Sequence, residues 1–226
     1  SFSADDRLMG LSMKGSAGFQ MVYDLEKGEA RPLGAAPGKL AYRGGLNFVR
    51  ISPRGDLIAA WDTNMIYVFD TVTGELRHSV QGQSTIEAIA WDYQGQLLSF
   101  SCDDWSVSIW EPSSGRMMQL NGKAHRPWFQ EFSRDGNLLV TSGIDGMTRL
   151  WDAVSGRLVC EQSGLLAGRV SPDGQRIAGG RHRQTSGIWR VEQPVALKLF
   201  RGAWANRATA WMMDLTSDGR RGVWSP

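Results

Sequence analysis

Residues 132–160, FSRDGNLLVTSGIDGMTRLWDAVSGRLVC, decide the fold. NLLVTS and MTRLWD are apolar or β-branched runs of strand length, with Asp135-Gly136 ahead of the first and Asp145-Gly146 between the two. An Asp-Gly pair flanked by such runs is a hairpin signal, because the tight turn needs a left-handed backbone that glycine adopts at no steric cost. Ser155-Gly156 then makes a further turn, and RLVC opens a third strand.

The same unit recurs along the chain with little drift. A turn glycine stands at Gly55, Gly95, Gly136, Gly174 and Gly219, spaced 40, 41, 38 and 45 residues apart, and Asp6 takes that place in the first copy. An aromatic follows 14 or 15 residues later at Phe69, Trp110, Trp151 and Trp189, and Tyr23 follows Asp6 by 17. After Tyr23, Phe69, Trp110 and Trp151 comes a second turn, at Lys27-Gly28, Thr73-Gly74, Ser114-Gly115 and Ser155-Gly156. A period of about 40 residues holding about four short strands is the signature of a propeller blade.

With the repeat in hand, the phrases SPDG (Ser171 to Gly174), SRDG, SPRG, TSGIDGMTRLWD and VSIWE resemble WD40 repeats, and the resemblance covers essentially the whole chain. It implies an all-β, WD40-like β-propeller of about five and a half blades, each of four antiparallel strands. The expected blades are 1–36, 46–83, 86–122, 127–163, 165–201 and a partial 208–226, in one propeller domain spanning 1–226. The first copy keeps only the end of an inner strand, and the sixth stops before its third-strand aromatic. A propeller protects its strand edges by closing, so the expected state is a piece of a larger, seven-bladed ring; a ring of five or six blades with irregular closure is the alternative.

Composition sets the class. The chain has 226 residues, 42% hydrophobic and 21% charged, ordinary for a globular protein with one well-buried core. No run approaches the length of an apolar membrane span, so no membrane partner is expected. Cys102 and Cys160 fall at different repeat positions and read as small buried hydrophobes rather than a disulfide. A reducing, cytoplasmic setting follows from that usage.

The WD40 resemblance also implies a side-chain network linking a His before the inner strand, a Ser or Thr on the second strand, an Asp in the next turn and the third-strand Trp. The fourth copy matches with His125, Thr141 or Ser142, Asp145 and Trp151. The third keeps Asp104 and Trp110 at the same spacing of six, but has Gly82-Gln83 where the His would stand. Copies one, two and five offer Ala17, Thr63 and Arg183 at the Asp position. The expected role is structural: a buried Asp satisfied by its own turn and by a His holds that turn rigid.

Catalytic chemistry is not expected. His78, His125 and His182 lie in three different repeats with no nucleophile or carboxylate at a recurring distance. There is no CxxC, HxH or acidic calcium loop, so no metal or cofactor is expected, and Asp103-Asp104 reads as turn chemistry rather than a catalytic pair.

Two features exceed a bare scaffold. Of ten tryptophans the repeat accounts for Trp110, Trp151 and Trp189, whereas Trp61, Trp105, Trp128 and Trp204 fall at or near loops after second strands or before inner strands. Because strands alternate direction within a blade, those loops open on one face. Trp61, Asp104, Trp105, Arg126, Trp128, Arg181, Arg183 and Trp204 are therefore the expected partner-binding residues, since aromatics and arginine dominate protein interfaces. The blander reading packs each tryptophan between blades. Charge is uneven as well: residues 157–226 hold eleven Lys and Arg against five Asp and Glu, net +6, while residues 1–156 are net −4. The expected function is a non-enzymatic protein-protein interaction platform, as a scaffold subunit or the recognition domain of a larger protein. The alternative is a regulatory domain that binds nucleic acid or an acidic ligand through the basic third.

Overall fold

The computed structural model describes residues 1–13, 19–34, 49–122, 127–163, 166–171, 173–180, 186–192, 196–200, 212–215 and 222–225, and among them there are strands and turns but no helix. The first sheet is β1 (Leu8–Met13), β2 (Phe19–Asp24) and β3 (Glu29–Pro32), in that order. The second runs β4 (Val49–Ile51), β5 (Leu57–Trp61), β6 (Met65–Asp70) and β7 (Leu76–Gln81). The third is β8 (Ile86–Trp91), β9 (Leu98–Cys102), β10 (Val107–Trp110) and β11 (Met117–Gln119). The fourth is β12 (Pro127–Phe132), β13 (Leu138–Gly143), β14 (Met147–Asp152) and β15 (Leu158–Ser163). The fifth is β16 (Leu166–Val170), β17 (Arg176–Gly180), β18 (Ser186–Glu192) and β19 (Ala196–Phe200). A last pair joins β20 (Met212–Leu215) to β21 (Gly222–Ser225).

Each sheet follows chain order, so each is a meander of antiparallel neighbours. The first sheet carries the end of an inner strand, as its sequence suggests: the Gly10 amide donates to Ser1 O at 2.8 Å, the Ser3 amide donates to Leu8 O at 2.9 Å, and Phe2 bridges Met9.

Among the described residues, the turn before the second strand has one geometry in the first five sheets. Gly55, Gly95, Gly136 and Gly174 have φ of 77°, 65°, 74° and 66°, and Asp6 stands in for them at 57°. A side chain closes each turn from inside: the hydroxyls of Ser3, Ser52, Ser133 and Ser171 accept the amides of Leu8, Leu57, Leu138 and Arg176 at 2.9 to 3.1 Å, and the Asp92 carboxylate accepts that of Leu97 at 2.8 Å. Asp and Ser suit such positions because their short side chains reach nearby backbone donors. The third-strand aromatics repeat in register too. Phe69 lies opposite Ile58, Trp151 opposite Leu139 and Trp189 opposite Ile177, and every one of the six is buried.

By contact, the chain divides into two compact units, Ser1–Asp104 with Trp110–Met117 and Trp105–Ile109 with Met118–Pro226. In the first unit the second sheet has a core on each face. Ile58, Ala60, Tyr67 and Phe69 join Val22, Val49 and Ile51, while Ala59, Trp61, Ile66 and Val68 join Ile86, Ile89, Trp91, Leu98, Phe100, Cys102 and Trp110. The split follows from the two-residue period of a strand, which sends successive side chains to opposite faces. The Trp91 indole N–H adds a bond to the Arg50 carbonyl at 2.9 Å, tying the third sheet to the second.

Trp61 is therefore a correction. Expected at a binding rim, it is 6% exposed and packs in the core. It is the final residue of β5, opposite Ile66, on the face it shares with Ala59, so the strand carries it inward before the loop begins.

Gly10 shows how closely the first two sheets approach. A Cβ built there would lie 3.0 Å from Ile58 Cδ1, 3.1 Å from Val49 Cγ2 and 3.2 Å from Ile51 Cγ1. Gly10→Val should cost about 1–3 kcal/mol through overpacking, read as a lower urea midpoint at unchanged slope; a neutral result would mean the sheets separate easily.

In the second unit Val140, Leu150, Val170, Ile177 and Trp189 form a core between the fourth and fifth sheets. A carboxylate bridges the same pair of sheets: Glu131 accepts the Val170 amide at 2.6 Å and pairs with Arg169 at 3.1 Å.

Candidate functional site

Two hairpin turns occupy equivalent positions five residues before the third-strand tryptophan. In the fourth sheet the position is Gly146, with φ of 70°; in the third it is Trp105, with φ of 73°. A left-handed backbone brings Cβ against the carbonyl of an L residue at about 1–2 kcal/mol, a cost glycine escapes. Trp105 gains no full burial in exchange, since it stays 42% exposed. Asp104, beside it in the turn, is half-buried.

Trp128 reaches the surface by another device. The pairing of β12 with β13 shifts between Pro127 and Phe129, leaving Trp128 as the extra residue of a β-bulge, and the same irregularity recurs at Glu87 in the third sheet and Gly168 in the fifth. Bulges re-aim the side chain they carry, and this one is 60% exposed. Ile144, also 60% exposed, stands just beyond Gly143, which pairs with Pro127. That end of the fourth sheet therefore offers two large apolar side chains to solvent. Arg126, Arg181, Arg183 and Trp204, the other expected partner contacts, lie outside the described residues.

The network expected in the fourth copy divides in two. The Trp151 indole N–H donates to Thr141 Oγ1 at 2.9 Å, and both residues are buried. Ser142, on the opposite face of β13, shares a 2.9 Å bond with Thr148. Asp145 accepts the Met147 amide at 3.1 Å, as a turn-stabilising carboxylate should, and pairs with Arg149 at 2.8 Å. Arg149 is buried and also reaches Glu161 at 3.3 Å. His125 lies outside the described residues. Sequence reasoning overlooked Thr148, Arg149 and Glu161, although an arginine inside the run MTRLWD, four residues after an aspartate, was the available signal.

Among the described residues no three His, Cys, Asp or Glu side chains cluster as a metal would need. Burial pushes the Cys160 thiol up, away from the reactive thiolate. The Tyr67 hydroxyl is likewise pushed up, first by burial and then by the Asp62 carboxylate that accepts its hydrogen bond. Cys102 is a buried member of the core. No helix of the described residues is long and apolar enough to cross a membrane.

Comparison with known proteins agrees with the repeat. The family described as "WD domain, G-beta repeat" matches residues 74–111 and 120–152. The chain is 31% identical over 128 residues to COMPASS component SWD3 of Saccharomyces cerevisiae, covering 55% of this chain and 40% of that protein. It is 26% identical to Periodic tryptophan protein 2 of Arabidopsis thaliana and 25% identical to Apoptotic protease-activating factor 1 of Rattus norvegicus, covering 56% and 53% of this chain. It spans 15% and 10% of those two relatives, so it matches less than half the length of each of the three. Among solved structures, a chain of the "Crystal Structure of Mitotic Checkpoint Complex" superposes with a TM-score of 0.77 at 19% identity, covering 100% of this chain and 72% of that one.

Proposed function

The chain belongs to the WD40-repeat family of β-propellers, and from that premise we propose that it is a non-enzymatic platform that holds a protein partner. The observation that carries this reading is Trp105, an exposed indole kept at a strained left-handed position where the next repeat has glycine. Strain of this kind collects at sites whose geometry serves something other than stability. Trp128, lifted to the surface by its bulge, is the second anchor. The descriptions of similar proteins as a COMPASS component and as part of a checkpoint complex support a role in assemblies.

The test separates stability from binding. Trp105→Gly should raise unfolding stability by about 1 kcal/mol, because it removes the strain. The same change should weaken a partner captured with the wild-type chain about 30-fold in calorimetry, the size of a hot-spot loss near 2 kcal/mol. Trp128→Ala should weaken binding comparably with little change in stability. The reading falls if both variants bind as wild type while changes at Arg134 and Asp173, in the turns at the other end of their strands, abolish binding. Binding lost chiefly on raising salt would favour the basic third as the contact surface.

A further inference from the structure

We draw no further inference here: the strongest candidate, the exposed apolar end of the fourth sheet where Trp128 and Ile144 stand, carries nothing beyond the proposed docking role because nothing in the structure shows what covers it.

Discussion

Replacing Trp151 with alanine should cost about 3–5 kcal/mol, the usual range for emptying a buried aromatic site. The indole is fully buried, and Gly122 lies so close that a Cβ there would come within 3.0 Å of Trp151 Cη2. Truncation therefore opens a cavity that the packed strands around it cannot readily fill. It also leaves Thr141 Oγ1 without the N–H that it accepts at 2.9 Å. Trp151→Phe separates the two contributions, since it keeps most of the ring volume and loses the bond; about 1 kcal/mol is expected. Urea denaturation followed by far-ultraviolet circular dichroism measures both. An alanine variant within about 1 kcal/mol of wild type would show that the ring is not a packing centre.

Acid should destabilise the fold through its turns. The Ser133 hydroxyl holds the Asp135 carboxyl below the usual carboxylate range, with the Asn137 amide assisting against desolvation. Asp5 is lowered chiefly by Ser3, Asp70 chiefly by the Thr73 amide and Asp152 chiefly by the Ser155 amide. A carboxyl whose folded pKa lies below its unfolded value, about 3.9 for Asp, binds fewer protons folded than unfolded. Its contribution is present above that unfolded value and is lost as pH falls through the folded pKa. The thermal midpoint should therefore be level from about pH 5 to 8 and drop below about pH 4. Asp135→Asn should lower the midpoint at neutral pH and make the acid decline shallower. A midpoint that holds level down to about pH 2 would mean that these bonds contribute nothing to folding.

Legibility varied with the physics of each feature. The turns were open to reading because a left-handed backbone demands glycine or a short polar residue, and that demand is written at Gly55, Gly95, Gly136 and Gly174, and even at Asp6. The third-strand aromatics were legible through spacing alone. Trp61 was misplaced because the position of a strand's last residue depends on how far its ladder runs, and that ladder includes Ile66. Thr141 and Ser142 could not be told apart as partners of Trp151, since neighbours on a strand face opposite ways and both faces here are buried. Trp105 stood out in sequence as an aromatic in a turn. Its strain did not, because nothing in the composition of Asp-Asp-Trp-Ser says which residue must take the left-handed position.

The second sheet, with one set of side chains in one core and the alternate set in another, has no indifferent side. Deleting a single residue within β5, Ala59 for example, would not merely shorten it; beyond the deletion it would send Trp61 into the space shaped for Ala60 and Ala60 into the space shaped for Ala59, damaging two cores at once. Change in length is then confined to the connections, and the repeats are expected to drift apart in their loops while their strands keep parity. Stability passes through such a sheet as through the middle pier of a row of arches, which carries thrust from both sides and does not stand by itself.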